Sequence, residues 1–211
     1  MSNLLLARNA QMGRHSLLPR EYQQVEYIES TGTQWIDTGV IPSTGTKAIY
    51  DFCPTTFDGI WRSVLASKIA DNQNAFFVSF NASDFTIGFG NNNYRSFSRP
   101  SVLSANSRYC VSQDKTGVSV NNIFYPYPFS NKSLSSSLTL GLLCQNISNE
   151  HSRNFIGKLY YCQIFDSDIL IRHYIPCYRK IDFVVGLYDL VNHTFVQNSG
   201  TGVFSIGPIL H

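Results

Sequence analysis

The stretch GKLYYCQIFDSDILIRHYIPCYRK, from Gly157 to Lys180, decides the fold class. Two blocks rich in aromatic and β-branched residues, KLYYCQIF and ILIRHYIP, flank Asp166-Ser167-Asp168. Asp and Ser favour turns because their short polar side chains bond to nearby backbone, whereas the flanking residue types fit a pleated surface. The pattern predicts two antiparallel strands joined by a tight hairpin.

The same grammar continues in both directions. Downstream, FVVGLYDLV and GVFSIGP return to strand chemistry, with His193 in a turn between them. Upstream, RYCVSQ and VSVNNIFY flank Asp114-Lys115-Thr116-Gly117, where Gly117 is suited to positive φ. Tyr125-Pro126-Tyr127-Pro128-Phe129 is predicted as an exposed loop or sheet edge, because each proline lacks a ladder donor. KAIYDFCP, SVLASK, AFFVSF, FTIGFG and YRSFS are separated by the turn-rich PSTGT, DNQN, NAS and GNNN. Near the start, QQVEYIES alternates, placing Val25, Tyr27 and Glu29 on one face and Glu26 and Ile28 on the other. About a dozen short strands with no helical stripe predict an antiparallel sandwich or barrel.

Composition narrows the function classes. A chain of 211 residues is long enough for one domain with a sizeable core. A net charge of +2, with no concentrated Lys or Arg run, disfavours binding to a phosphate backbone. No apolar run approaches the roughly 18 residues of a membrane span. The first residues, MSNLLLARNAQMGRHS, lack the apolar block of a secretory signal. Five scattered cysteines predict reduced thiols packed as small apolar side chains. The densest Cys/His group, Cys162, His173 and Cys177, lacks the spacing of a zinc site, so no metal is expected there.

Leu18-Pro19, Tyr27 to Gln34 and Ile36 to Gly39 open a pattern that Gly157 to Tyr160, Pro176-Cys177, Val185 to Asp189 and Asn198 to Gly202 close. In these motifs the chain resembles a family of laminin-G-like, concanavalin A-like jelly-roll domains found in bacteriophage and prophage structural proteins and in bacterial surface proteins. The resemblance spans residues 18–208. It implies an all-β, antiparallel two-sheet jelly-roll sandwich over residues 18–211, used for attachment, glycan recognition or assembly and carrying no agreed catalytic set. Residues 1–17 form a short N-terminal arm outside it, in which Leu4, Leu5, Leu6, Arg8 and Met12 are the candidate partner anchor. The expectation drawn from the resemblance is a non-enzymatic virion component, assembled in the host cytoplasm as a head fibre, decoration or tail-associated module, with other virion proteins as partners. A trimer is the oligomer such a fibre would form. A lectin-like glycan-binding adhesin is the alternative, and a glycan hydrolase the third reading.

The chemistry of single motifs is weighed on geometry. Asp37-Thr38-Gly39 has the form of an aspartic protease segment, but the chain supplies no second one to share a proton. Asp37 is therefore expected to end a strand and accept bonds from its own turn. Glu26 and Glu29, three apart on a strand, point to opposite faces and cannot flank a sugar as a hydrolytic pair. His173 shares its parity with Ile169, Ile171, Ile175 and Cys177 and is expected on a largely apolar face. No cofactor is expected. Ca2+, which laminin-G-like domains can carry, would find oxygen-dense loops only at Asp71 to Asn74 and Asp166 to Asp168, both of which read as solvated turns. For glycan contact, aromatic planes and amides on loops are the needed groups, and Asn91, Asn92, Asn93, Tyr94, Arg95, Tyr125 and Tyr127 are the candidates.

Overall fold

The computed structural model describes residues 17–70, 73–129 and 133–210. Their strands, in chain order, are β1 (Tyr22–Gln24), β2 (Ile28–Thr31), β3 (Ile36–Asp37), β4 (Thr46–Pro54), β5 (Arg62–Lys68), β6 (Ala75–Phe80) and β7 (Asp84–Gly90). Next come β8 (Tyr94–Ser98), β9 (Tyr109–Asp114), β10 (Gly117–Val120), β11 (Ile123–Pro126), β12 (Gly141–Leu142), β13 (Gln145–Ile147) and β14 (Glu150–Ser152). The last five are β15 (Ile156–Asp166), β16 (Ile169–Arg179), β17 (Val185–Asp189), β18 (Thr194–Gln197) and β19 (Ser205–Ile206). The helical structure among them is one 3-10 turn, Arg99–Ser101. The expected anchor residues Leu4, Leu5, Leu6, Arg8 and Met12 lie outside the described residues.

Two sheets face each other across the core, as expected of the sandwich. The larger runs β11-β10-β9-β4-β15-β16-β17-β18, with β1 on β16, β2 on β15 and β19 on β2. The smaller runs β14-β13-β5-β6-β7-β8, with β12 on β5 and β3 on β12. Strand β15 is the spine of the larger sheet: β4 follows one side of it, while β2 and then β16 share the other. The β15–β16 hairpin turns through Ser167 and Asp168, both at positive φ (49° and 67°), where a two-residue turn matches the twist of its strands.

The core comes from both inner faces. Phe52 of β4, Phe80 of β6 and Phe155 form an aromatic knot with centroids 5.6 to 6.2 Å apart. Each is fully buried, and burial of such a ring contributes roughly 1.5–3 kcal/mol. Gln113 of β9 crosses the sandwich: its Nε2 lies 3.2 Å from the Phe77 carbonyl and 3.3 Å from the Gly88 carbonyl of the smaller sheet.

Several local expectations change. Gly117 is not at positive φ; a Cβ there would come within 2.5 Å of the Tyr125 carbonyl, so the requirement is close approach of β11. VSVNNIFY is two strands rather than one, because Asn121 and Asn122 both adopt positive φ (47° and 70°) and turn a second hairpin. QQVEYIES is likewise broken: β1 pairs with β16 and β2 with β15, so Val25 and Ile28 are both buried despite opposite parity. In β15 the register slips between Leu159 and Tyr161, leaving Tyr160 and Tyr161 both outside the core while Leu159 and Cys162 are in it.

Candidate functional site

Alternation on the smaller sheet sends Phe76, Val78, Phe80, Phe85, Ile87 and Phe89 inward, which leaves the intervening residues on the outer face. Cross-strand register then aligns them. One row runs Gln145–Ala66–Phe77–Gly88–Tyr94, through β13, β5, β6, β7 and β8. The next runs Ser63–Ser79–Thr86–Ser96, a line of four hydroxyls. Within it Ser63 and Ser79 hydrogen-bond at 2.6 Å, and Thr86 and Ser96 at 2.8 Å.

Gln145, Phe77, Ser79, Thr86 and Ser96 of these rows line a depression of about 220 Å³, together with Trp61, Tyr94, Lys68 and Arg153. It is smaller than the roughly 300–1,000 Å³ of sites that enclose a drug-sized ligand, and its scale suits about one sugar ring lying on a surface. Gly88 shapes the floor: any Cβ there would overlap the Phe77 ring, which lies across it. Arg153 adopts φ 53°, and its guanidinium lies 5.8 Å from the centroid of the Trp61 ring. Asp58 pairs with Arg62, next to Trp61, through a hydrogen bond that lowers its pKa below the usual carboxylate value. Among the described residues lining the depression none is a carboxylate.

The most unusual member is Gln145. It is fully buried, and neither its Nε2 nor its Oε1 has a hydrogen-bond partner among the described residues. An unmet buried polar group costs about 1–3 kcal/mol, so an amide with both ends unmet at the floor of a depression marks a position where a partner is expected from outside the fold.

Other surface features are spent on the fold itself. On the outer face of the larger sheet, Arg108 lies 3.8 Å over the Tyr160 ring and Lys158 4.4 Å over Tyr27, so cations cover both aromatic planes. Arg108 in turn donates to both Asp51 oxygens, its Nε at 3.0 Å from each and a terminal nitrogen at 2.8 Å from Oδ2. A wider depression of about 440 Å³ lies between Phe183 and Val203. Of its two amides, Gln197 and Asn198, the second is saturated: Oδ1 accepts from Trp35 and Gly200, and Nδ2 donates to the Thr201 and Gly202 carbonyls.

The seven residues expected to contact glycan do not form one group. Tyr94, 45% exposed, stands in the depression. Arg95 pairs with core Ile87 on the opposite face and lies over the Phe97 ring. Asn91 and Asn92 make the β7–β8 turn, where Asn91 caps the Asn74 amide, and Asn93 is buried with its Oδ1 accepting from Phe129 N at 3.1 Å. Tyr127 is a core residue whose hydroxyl meets Gln113, and Tyr125 packs on Phe85 and Phe97. The prolines do keep this segment at the sheet edge, and its two tyrosine rings fold inward while Phe129 stays exposed. Trp61, Gln145 and Arg153 carry no local signal in the sequence, and for Phe77 the available signal is parity within AFFVSF.

The remaining candidates take structural places. Asp37 accepts from the Gly39 amide at 2.9 Å, closing its own turn. Cys162 lies in the core, whereas Cys177 packs on the outer side with Leu18, Ile175 and Tyr188, so the two thiols are not on one face. Burial pushes the Cys177 thiol up to about 12, which keeps it protonated and apolar in character. His173 is half-buried beside Gln163. Of the oxygen-dense loops, Asp71 and Asn72 lie outside the described residues, and Asp166 accepts from Ser43 at 2.7 Å. Among the described residues, no group of three or more His, Cys, Asp or Glu is placed to hold a metal.

No family model matches the sequence, and no curated protein matches it. Among solved structures, the chain is similar to the Ruminococcus gnavus IT-sialidase CBM40, with a TM-score of 0.52 and 11% identity over 74% of this chain and 94% of that one. The same domain bound to alpha2,3 sialyllactose gives 0.52 and 12%, over the same shares. A Bacteroides ovatus protein provisionally described as carbohydrate binding gives 0.56 and 9%, over 90% of this chain and 62% of that one. At these identities the likeness establishes the fold: the chain shares its β-sandwich with carbohydrate-binding domains.

Proposed function

We propose that this chain is a non-enzymatic glycan-binding module and that the sugar lies on the outer face of the smaller sheet, against Trp61 and Tyr94. The observation that carries the reading is the pair of rows across that sheet. They supply an apolar plane for the underside of a pyranose and a line of hydroxyls and one amide for its rim, the two kinds of contact that such a ligand needs. The carbohydrate-binding neighbours share the fold that presents such a face. The described residues lining the depression are aromatic, hydroxyl, amide and basic side chains, the kinds of group that hold a sugar. A virion location, and partners held by residues 1–17, rest on the sequence resemblance alone.

Calorimetric titration with a panel of mammalian and bacterial cell-surface oligosaccharides tests the reading. Trp61→Ala and Tyr94→Ala are each expected to weaken binding about tenfold, the loss of roughly 1.4 kcal/mol of ring stacking. Failure to bind any member of the panel, or binding untouched by both substitutions, would overturn it.

A further inference from the structure

We infer that Gln113, a residue of the larger sheet, is a positioning residue for the sugar face of the smaller one. The inference rests on the glycan-binding reading and goes beyond it to how the two sheets are coupled.

The side chain of Gln113 leaves β9 toward the interior and is fully buried. Its Nε2 donates to the Phe77 carbonyl at 3.2 Å and to the Gly88 carbonyl at 3.3 Å. Those two residues are cross-strand partners on β6 and β7, and the Phe77 ring lies across Gly88 and lines the depression. One amide therefore holds, from the core side, the backbone of the pair that carries the floor. A carbonyl oxygen has two lone pairs, so each can accept from Gln113 and still serve the ladder. The inward residues that flank the pair, Phe76, Val78, Ile87 and Phe89, offer no side-chain donor of their own. The Tyr127 hydroxyl lies 3.1 Å from the same nitrogen, so three acceptors fix the place of one amide group.

Burying an amide whose Oε1 has no partner among the described residues is unfavourable, and an apolar side chain would fill the same core without that penalty. What the amide adds is a fixed place for Phe77 and Gly88. A stacking surface set before the sugar arrives loses less freedom on binding, which favours affinity.

The test uses the full chain. Gln113→Met keeps the length of the side chain and removes its donors, while Val111→Ala, at an equally buried position of the same strand, is the control for lost stability alone. With a fluorine-labelled phenylalanine at position 77, the resonance is expected to be one sharp line in the unmodified chain and in Val111→Ala, and to broaden or split in Gln113→Met. Affinity for the panel oligosaccharide that the unmodified chain binds most tightly should fall about fivefold in Gln113→Met. In Val111→Ala it should stay within about twofold. Should Gln113→Met not fold, the Gln113 side-chain amide resonance of the unmodified chain gives an independent reading, and it is expected to shift as that oligosaccharide is added, saturating with the same Kd. An amide resonance that stays fixed, affinity unchanged by Gln113→Met, or affinity lowered as much by Val111→Ala overturns this inference. If affinity still falls with Trp61→Ala, the glycan-binding reading stands without it; absence of all glycan binding overturns both.

Discussion

The two sheets turn outward faces of similar composition and opposite character. On the larger sheet, Tyr27 and Tyr160 lie under Lys158 and Arg108, and Asp51 holds Arg108 in place. On the smaller sheet, Arg153 lies further off, 5.8 Å from the Trp61 centroid, and Trp61 and Tyr94 rim a depression lined by Phe77, the hydroxyls of Ser79, Thr86 and Ser96, and a buried amide without a partner among the described residues. Aromatic planes held close under cations, as at 3.8 and 4.4 Å on the larger sheet, contribute to the fold, whereas Tyr94, 45% exposed beside the Gln145 amide, offers the more open plane. Residue type alone does not separate the two cases; the partners do.

The comparison breaks most visibly at its glycines. Gly157 of the larger sheet, at φ 143°, faces the Cys53 carbonyl, and backbone cannot yield. For Gly88 of the smaller sheet the nearest atoms are those of the Phe77 ring, which can turn. Gly157→Ala is therefore expected to cost about 3 kcal/mol or more, or to prevent folding, as read from denaturant melts. Gly88→Ala should cost about 1–2 kcal/mol and, by driving Phe77 into the depression, weaken glycan binding as well. Equal losses would mean that the floor is as rigid as the spine.

A smaller effect sharpens the contrast in function. Arg108→Ala strips the cover from Tyr160 and leaves buried Asp51 without its bidentate partner. Because Arg108 is itself half exposed, solvent screens the pair, and a loss of about 1 kcal/mol is expected in thermal melts, with glycan affinity unchanged. Affinity that moved with Arg108 would place ligand on the larger sheet.

The smallest effect is one of pH. His151 stacks on Trp35 at the edge of the smaller sheet, and His173 lies on the larger. Burial lowers the pKa of both, opposed by Asp37 at His151 and by Asp189 at His173. Below the ordinary imidazole value of about 6.5 the unfolded chain takes up protons that the folded chain refuses. Their contribution to stability is thus complete above that value and is lost as pH falls through the lowered one. Thermal midpoints should decline from about pH 7 to about pH 5, and a His151→Phe, His173→Gln double variant should flatten that decline. An unchanged slope would assign the dependence to other groups.

Much of the fold was legible locally. The hairpin at Asp166 to Asp168 and the closed turn of Asp37 follow from residues within a few positions of one another. The site was less legible for a specific reason. In AFFVSF five of six residues are apolar, so the inner face of Phe76, Val78 and Phe80 hides the outer placement of Phe77. Tyr94 and Arg95 both follow the asparagine turn, and alternation places Tyr94 beside the depression and Arg95 on the other face. Gln145 carries no local signal; it acquires meaning beside Ala66, from a strand far away in the chain.

The sequence by itself determined an antiparallel all-β chain, because period-two patterning and turn chemistry act over a few residues. Only the tertiary structure decided which strands are neighbours and in what register. Ladder hydrogen bonds are made by backbone that is the same at every position, so lateral order is settled by long-range packing of the core, and that order is what brings Gln145, Phe77 and Tyr94 into one row.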